Sequence, residues 1–457
     1  MQHYMERLFH LSENHTNVKT EIAAGVTTFM TMAYILAVNP SILGETGMDS
    51  GAVFTATAVA SAFATLLMAF FSNYPFALAP GMGLNAFFAY TVVLKMGFSW
   101  QTALAAVFVE GIIFIVLSLT NVREAIFNCI PLSLKLGITS GIGLFIAFIG
   151  LQNSHLVVDS STLVSLFPFR TSLEDGSFWS MGMGAVLAFV GVILTAVLMY
   201  KKVPGSILLG ILGTWILGIL CELTGLYQPN LELGMASVLP DFSAGLSIPS
   251  LASTFFQMDF SGLLNFNFIT IMLSFLFVDL FDTIGTLIGV ASKADMLDEN
   301  GKLPRIRGAL LADAVGTTAG AILGTSTVST YVESSSGVMA GGRTGLTSLV
   351  TGILFLLSLL LSPIFLAIPS FATAPALIVV GFLMVESICK VEFADLAEAM
   401  PAFVAMIAMP FMYSISEGIA LGVISYALIH VCTGKAKQVH WLLYLLALAF
   451  ILKYIFV

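Results

Sequence analysis

Apolar stretches long enough to cross a lipid bilayer follow one another along almost the whole chain, separated by short polar connections. A membrane-spanning helix needs about 20 mostly apolar residues, and windows of roughly this length predict about fourteen crossings. They are residues 22–38, 54–71, 74–93, 102–119, 132–151, 183–200, 206–223, 268–288, 309–323, 325–339, 346–361, 374–389, 401–413 and 417–432. The pattern predicts an all-α membrane protein that crosses the bilayer many times.

The third and tenth windows are interrupted by residues that break a regular helix. The third contains Pro80, Gly81 and Gly83, and the tenth contains a run of three serines that ends at Gly337. Proline removes a helical hydrogen bond, and glycine is a poor helix former. Backbone freed in this way is tolerated at membrane depth only where protein or a water-lined cavity satisfies it. Two such segments, similarly placed in two halves of a chain, indicate the binding site of a transporter.

Composition supports a membrane protein and argues against several other classes. The 457 residues are 58% hydrophobic and only 9% charged, whereas soluble domains carry about 25% charged residues. The net charge of −9 comes without a basic stripe or zinc-ligand spacing. We therefore expect no nucleic-acid partner, no metal and no cofactor. The four cysteines are scattered and are expected to be apolar fillers. In the absence of a catalytic constellation or an appended soluble domain, we expect neither an enzyme nor a receptor.

The distribution of cationic residues predicts the orientation in the membrane. If the N-terminus is cytoplasmic, nearly all lysines and arginines from Arg7 to Lys437 fall inside, and only Lys95 and Arg170 fall outside. This asymmetry follows the positive-inside rule. It predicts a multi-pass protein of the cell membrane, plasma or inner, with its N-terminus in the cytoplasm.

Matching windows in the two halves of the chain predict an internal repeat. An odd number of crossings in each half gives the halves inverted topology and brings the interrupted segments together near the midplane. The predicted divisions are a cytoplasmic tail (1–20), a first inverted repeat with segments one to seven (21–225), an extracellular connection (226–266), a second repeat with segments eight to fourteen (267–434) and an apolar end (435–457). Within this end, residues 441–457 could form a fifteenth crossing or a helix on the membrane surface.

Five acidic residues lie inside predicted membrane segments. Burying a carboxylate there costs about 2.5–3.5 kcal/mol on insertion scales, so each one suggests function or a specific partner. For Asp282 and Glu333 we predict substrate or proton binding. Asp279 and Asp313 could take part in the same way, or could cap or tether a broken helix. For Glu110 we favour structural hydrogen bonding, because its predicted membrane segment contains few other polar residues.

Other residues of the broken segments are candidates for contacting a ligand. Asn85 could bind the ligand or satisfy the freed backbone of its own segment, and we favour the ligand. Several aromatic side chains could stack on a flat ligand, and Tyr331 is preferred because it adjoins Glu333. The other aromatic candidates are Phe87, Phe88 and Phe281.

Several motifs in these segments resemble those of a known family. In one-letter code they are TTFMTMAY at 27–34 with VNP at 38–40, APGMGLNAFF at 79–88, FDTIGT at 281–286, GTST at 324–327, YVESSSGV at 331–338 and GGRTG at 341–345. Each motif alone is a weak signal, but together they occur in order along essentially the whole chain. The chain resembles the azaguanine-like (AzgA-type) purine permeases of the nucleobase–cation symporter-2 superfamily, which also contains uracil and xanthine permeases.

The resemblance implies the uracil-permease-like fold. This fold has two inverted repeats of seven segments and is divided into a core and a gate domain, with a short strand before a half-helix in segments three and ten. The resemblance places the substrate acids on Asp282 and Glu333, and the segment-three contacts on Gly83 and Asn85. Uracil and xanthine relatives often have a histidine or an acid at the position of Thr286, so coupling through a histidine is not expected here. The coupled proton is therefore sought among four acids, Glu333, Asp282, Asp279 and Asp313.

The resemblance also implies a function, proton symport of a purine nucleobase (adenine, guanine or hypoxanthine) by movement of the core against the gate domain. The resemblance is also compatible with a homodimer formed through the gate domain. An ionised carboxylate can accept two N–H groups of a purine side by side. We expect Glu333 and Asp282 to hold opposite edges of the base, and Tyr331 or a phenylalanine to stack on the ring. Asn85 and the backbone amides that begin at Ser334 would complete the site.

Two alternatives stay open. Within the same superfamily, the substrate could be uracil or xanthine. Sulfate and bicarbonate transporters share the architecture. An anion site, however, would require a cation or unopposed helix N-termini at the midplane. This sequence instead places two carboxylates there, which makes an anion transporter the weaker alternative.

Overall fold

The protein is mostly helical, and its helices are long enough to form a membrane domain. The computed structural model describes residues 2–120, 130–161, 163–230, 235–240, 247–261, 266–293, 296 and 303–456. Within these residues, 10 helices are long and apolar enough to cross a membrane, and shorter apolar helices accompany them. The predicted class, an all-α protein with many crossings, is confirmed.

The first half of the chain contains every segment that the apolar pattern predicts there, and its first crossing is divided in two. The elements are α1 (Gln2–Phe9), α2 (Val18–Met32), α3 (Ile35–Gly44), α4 (Ser50–Phe71), β1 (Leu78–Pro80), α5 (Met82–Ala86), a π-helix (Phe87–Lys95), α6 (Trp100–Leu119), α7 (Leu132–Asn153), β2 (Val157–Ser160), β3 (Leu163–Leu166), α8 (Phe169–Asp175), a 3₁₀-helix (Ser177–Trp179), α9 (Met181–Tyr200) and α10 (Ser206–Leu223). Strands β2 and β3 pair as an antiparallel hairpin that the apolar pattern did not predict.

The second half likewise has a segment at each predicted window. The elements are α11 (Phe266–Lys293), α12 (Ile306–Leu323), β4 (Val328–Thr330), α13 (Ser334–Met339), α14 (Gly345–Leu357), a 3₁₀-helix (Ser358–Leu361), α15 (Ser362–Leu366), α16 (Ser370–Val385), a 3₁₀-helix (Glu386–Lys390), α17 (Leu396–Met412), α18 (Ile415–Cys432), a 3₁₀-helix (Ala436–Gln438) and α19 (Trp441–Phe456).

Polar side chains mark where several of the long helices begin. At the start of α4 the Asp49 carboxylate accepts a hydrogen bond from the Ala52 amide (2.7 Å), and Asn17 and Ser99 cap α2 and α6 in the same way. The first amides of a helix have no partner within the helix, so such a cap contributes about 1 kcal/mol. These capping residues therefore fix the entry point of each crossing.

The long helices pack into two bundles. The core bundle consists of α2, α4, α6, α11, α12 and α14, which pack against one another around the two broken segments. The gate bundle consists of α7, α9, α10, α16, α17 and α18. We call the face of the molecule where α2 begins the amino-terminal face, and the other the opposite face. The boundaries of the predicted repeats, 21–225 and 267–434, stay a prediction.

The two broken segments meet through a pair of very short strands. β1 and β4 run antiparallel, with Leu78 opposite Thr330, Ala79 opposite Ser329 and Pro80 opposite Val328. Each strand is followed by a short helix, α5 after β1 and α13 after β4. The predicted strand and half-helix in segments three and ten are therefore confirmed, and the two segments run in opposite directions where they meet.

Hydroxyl groups from the neighbouring helices satisfy the outer edges of this two-stranded sheet. Thr65 of α4 accepts a hydrogen bond from the Leu78 amide (2.9 Å), and Thr317 of α12 donates one to the Val328 carbonyl (2.9 Å). An unpaired backbone group buried in apolar surroundings would cost several kcal/mol. These threonines therefore allow a strand pair to exist inside a helical membrane domain.

The C-terminal helix α19 runs along α18. Near its start the Tyr444 hydroxyl donates to the Ala436 carbonyl (2.9 Å), beyond the end of α18. Near its end the Tyr454 hydroxyl donates to Glu417, in the first turn of α18. The two helices are therefore antiparallel over most of their length. This arrangement favours a fifteenth crossing over a helix that lies on the membrane surface.

The antiparallel pairing predicts that the two ends of α19 lie on opposite sides of the membrane. In a variant whose native cysteines are replaced, Thr433→Cys and Ile455→Cys should react with an impermeant maleimide added to opposite sides of oriented vesicles. Ile455 is 65% exposed, so its position should be accessible to the reagent. Labelling of both positions from the same side would contradict the crossing.

Candidate functional site

The acids predicted to bind substrate lie beside the β1–β4 pair. Asp282 comes from the middle of α11, and Glu333 directly precedes α13. Both side chains are partly accessible, whereas every residue of the two strands is buried. The carboxylates are close enough to interact electrostatically with each other and with the ring hydroxyl of Tyr331. The structure thus brings together the residues that sequence analysis singled out, and their role in binding stays a prediction.

Asp282 is oriented by strand β4. The Ser329 hydroxyl donates to Asp282 Oδ2 at 2.8 Å. A methyl group added at Gly81 would lie 2.6 Å from the Ser329 hydroxyl oxygen and 3.3 Å from Asp282 Oδ2. Only glycine leaves room for this hydrogen bond at the point where segment three passes α11.

Glu333 is oriented by a residue that sequence analysis did not include in the site, Tyr34. The Tyr34 hydroxyl donates to Glu333 Oε1 at 2.7 Å, and the side chain of Tyr34 is fully buried. Tyr34 lies in the break between α2 and α3, and its hydroxyl contacts the residue that precedes α13. The sequence feature that could have indicated this break is the threonine-rich motif before Tyr34. The Thr31 hydroxyl bonds to the Thr28 carbonyl (2.8 Å), the kind of contact that bends a helix.

Tyr331 connects the two broken segments. Its hydroxyl donates to the Pro80 carbonyl at 2.5 Å, and its amide donates to the Ala77 carbonyl at 3.0 Å. Its ring centroid lies 6.5 Å from that of Tyr34. Two aromatic rings therefore stand next to the two carboxylates.

Asn85 and Gly83, the other predicted residues of segment three, are completely buried. The Asn85 side chain accepts a hydrogen bond from the Ser326 hydroxyl and donates a long one to the Pro80 carbonyl (3.4 Å). In this conformation Asn85 thus makes the backbone contact that was the alternative to ligand binding. A methyl group at Gly83 would lie 2.7 Å from Ile142 of α7, so Gly83 is where segment three meets the gate bundle.

The start of α13 is occupied by hydrogen bonds within the chain. The Ser334 hydroxyl accepts from the Ala77 amide at 3.0 Å. The amides of Ser334, Ser335 and Ser336 donate to the carbonyls of residues 331, 332 and 333 at 2.9–3.1 Å. A ligand would have to replace one of these bonds to use the predicted amides.

Two charged side chains, Arg343 and Glu21, hold α13 in place near the amino-terminal face. The Arg343 guanidinium donates to the carbonyls of Val338 and Gly342 at 2.7 and 2.8 Å, at the end of α13. The buried Glu21 carboxylate accepts hydrogen bonds from the Arg343 amide (2.8 Å) and the Thr347 hydroxyl (2.7 Å). The GGRTG motif therefore anchors the half-helix that follows Glu333.

The remaining membrane acids contact buried threonines. Asp279 and Asp313 are fully buried, and the Thr283 hydroxyl lies 2.9 Å from a carboxyl oxygen of each. Glu110 accepts a hydrogen bond from the Thr327 hydroxyl at 3.0 Å, and its structural role stays a prediction. Thr286 is also buried.

The phenylalanine candidates of segment three pack inside the protein. Phe87 and Phe88 are buried, with ring centroids 4.8 and 6.3 Å from that of Phe275. The side chain of Phe281 lies outside the described residues. Within the part of the chain that the structure describes, no cluster of three or more His, Cys, Asp or Glu side chains is arranged to hold a metal ion.

Hydrogen bonds join the core and gate bundles on the opposite face. Asn153 of α7 donates to the Tyr90 hydroxyl (2.9 Å), which donates to the Glu45 carboxylate (3.0 Å). The Lys95 ammonium donates to the Met412 carbonyl at the end of α17 (2.5 Å). Burial raises the pKa of the Glu45 carboxyl above its usual value, and the Tyr90 hydrogen bond opposes this effect. The bundles are therefore closed against each other on this face.

Two bundles that meet beside a pair of broken, oppositely directed membrane segments define a secondary transporter. Residues 19–442 match the Xan_ur_permease family model, described as Permease family, and the chain belongs to this family. This confirms the resemblance that the motifs showed.

Individual relatives match over nearly their full length. Adenine permease AdeP of Escherichia coli (strain K12) is 43% identical over 457 residues, which cover 100% of this chain and 97% of that protein. Guanine/hypoxanthine permease PbuG of Bacillus subtilis (strain 168) is 46% identical over 464 residues, which cover 99% of this chain and 100% of that protein.

A solved structure shows the same fold at low sequence identity. The transmembrane domain of a cyanobacterium bicarbonate transporter, BicA, aligns with a TM-score of 0.62 and 15% identity, covering 88% of this chain and 97% of that one. At this identity the likeness concerns the fold alone, and it agrees with the predicted fold class.

Proposed function

We propose that the protein imports purine nucleobases through the cell membrane by proton symport. Relatives named for adenine and for guanine and hypoxanthine match the whole chain at 43–46% identity, which supports a purine as the substrate. The proposal places the amino-terminal face in the cytoplasm, as the distribution of lysine and arginine predicts. A homodimer through the gate bundle is compatible with it.

The observation that carries the proposal is the meeting of Asp282 and Glu333 beside Tyr34 and Tyr331. The Ser329 hydroxyl donates a hydrogen bond to one oxygen of Asp282 at 2.8 Å. The Tyr34 hydroxyl donates one to an oxygen of Glu333 at 2.7 Å. Carboxylates fixed in this way can accept N–H groups on the edges of a flat heterocycle, and charge-assisted hydrogen bonds of this kind are stronger than neutral ones. The tyrosine ring adjoining them can stack on the base.

Movement of the core bundle against the gate bundle would carry the base across. Closing the opposite face requires the Tyr90–Asn153 and Lys95–Met412 hydrogen bonds, and opening it requires that they break. Gly83 and Ile142 lie at the same boundary, beside the broken segments. In this proposal, the structure is closed toward the outside and the base would leave toward the amino-terminal face.

An inward proton gradient would drive accumulation of an uncharged base. A charge that moves down 100 mV releases about 2.3 kcal/mol. The bicarbonate transporter of the same fold does not make an anion the better candidate here, because two carboxylates at the site would repel one. Purine transport therefore remains the function that the site supports best.

Removing the charge of either site carboxylate should abolish transport. We expect Glu333→Gln and Asp282→Asn each to lower uptake of labelled adenine, guanine or hypoxanthine by about 100-fold or more, because hydrogen bonds to a charged group contribute about 1.5–3 kcal/mol each. Glu174→Gln and Asp175→Asn, in the surface helix α8, are matched controls that should transport normally. Uptake at the wild-type rate by both site variants, at equal membrane levels, would overturn the assignment.

Tyr34→Phe should weaken substrate affinity without removing a charge. The change deletes the hydroxyl that fixes Glu333, so we expect KM for the base to rise about 10-fold with a smaller effect on the maximal rate. Tyr200→Phe is the control, since Tyr200 is 89% exposed. An unchanged KM in Tyr34→Phe would show that the hydroxyl does not position Glu333 for binding.

A further inference from the structure

A single hydroxyl group bridges two buried carboxyl groups in the core bundle. Thr283 and Asp279 are four residues apart on α11, and Asp313 faces them from α12. The Thr283 oxygen lies 2.9 Å from Asp279 Oδ1 and 2.9 Å from Asp313 Oδ1. All three side chains are completely buried.

The geometry of this group suits one extra proton. Each 2.9 Å contact is short enough for a hydrogen bond, and a threonine hydroxyl carries only one hydrogen. It can therefore donate to one of the two carboxyl groups at a time. A proton on the other carboxyl group would let that group donate in turn to the Thr283 oxygen, so that both contacts become hydrogen bonds.

We propose that Asp279 and Asp313 share one exchangeable proton across Thr283, and that this is the proton the transporter couples to its substrate. The proposal rests on the proposed function and deepens it. It separates two tasks among the four membrane acids that were candidates for coupling. Asp282 and Glu333 hold the base, while the Thr283-bridged pair holds the proton.

The surroundings of the pair are acidic rather than basic. On α11 itself lies Asp282, and Glu333 precedes α13, which packs on α11. Helix α6 packs on both α11 and α12 and contributes Glu110, whereas α4 has no ionisable residue. The other acidic and basic side chains on α12 and on the gate helices that touch α11 lie toward the helix ends; they are Arg307, Lys135, Glu417 and His430. Helix α18 also carries Tyr426 and Cys432, which are uncharged at neutral pH. The described residues at the centre of these elements therefore bring negative charge, which attracts a proton.

The Asp279–Asp313 pair interacts electrostatically with the proposed substrate site. Asp313 and Asp282 interact electrostatically, so a proton on the pair reduces the negative charge that Asp282 experiences. Asp282 can then stay ionised and accept the N–H groups of a base. Because such coupling is reciprocal, a bound base strengthens proton binding by the same factor.

An infrared measurement on the purified protein without substrate tests the proton site directly. At neutral pH, the wild-type protein should show the carbonyl band of a protonated carboxylic acid. We expect both Asp279→Asn and Asp313→Asn to lose one such band, and Asp282→Asn to keep it. If the spectra of the wild type and Asp313→Asn do not differ in this band, the proposal is wrong.

A transport measurement tests whether this proton is the coupled one. In proteoliposomes, an inward pH gradient of one unit should support up to about 10-fold accumulation of labelled base at one proton per base. Asp279→Asn, Asp313→Asn and Thr283→Val should lose this accumulation to a much greater extent than exchange of labelled for unlabelled base. Thr283→Ser keeps the hydroxyl and should restore accumulation.

The outcomes separate the two proposals. Accumulation at the wild-type ratio by Asp279→Asn and Asp313→Asn would refute the coupling role of the pair. A wild-type protein that exchanges none of the purines would refute the proposed function instead. In that case the infrared comparison would still decide whether the pair holds a proton.

Discussion

The pairing of β1 with β4 is the constraint on which the rest of the structure depends. Two chain segments leave the helical conformation in the middle of a membrane domain, where free backbone groups cannot bond to water. Each satisfies the other through the antiparallel register of Leu78–Pro80 with Val328–Thr330. Threonine hydroxyls of α4 and α12 close the two outer edges. Without these bonds, both segments would carry unsatisfied amides and carbonyls at a cost of several kcal/mol.

The same pairing explains where the chemistry lies. Because the segments meet, a residue of β4 approaches α11, and a residue just after β4 approaches the α2–α3 break. Ser329 thereby orients Asp282, and Tyr34 orients Glu333. One turn away on α11, Asp279 and Thr283 face α12 instead and meet Asp313. A single helix thus contributes to both the proposed substrate site and the proposed proton site, which offers a short route for coupling them.

Much of the fold could be predicted because membrane segments have simple requirements. Length and apolarity located the segments, and proline, glycine and serine identified the two that contain a short strand. Burial of charge in the bilayer singled out the five acids without any structure. The hairpin β2–β3 escaped prediction because it lies outside the apolar windows, where the length of apolar runs gives no information.

The contacts within the site were harder to predict, because they depend on how helices rotate and where they bend. Residues 22–38 read as one continuous crossing, so the break that turns Tyr34 toward Glu333 was not expected. The spacing of Asp279 and Thr283 puts them on one helix face, but nothing in the sequence indicated that Asp313 would meet them from α12. Asn85 lies where predicted, yet its hydrogen bonds serve the backbone and Ser326 in this conformation.

The central claim is that Asp282 and Glu333 together bind a purine beside the β1–β4 pair. The most direct test is an experimental structure of the purified protein with adenine, guanine or hypoxanthine bound. We predict that the edges of the base bond to both carboxylates and that its face lies against Tyr331. A base that contacts neither carboxylate, for example one held in the cavity of about 160 Å³ that Phe87, Thr91 and Lys95 help to line, would contradict the account.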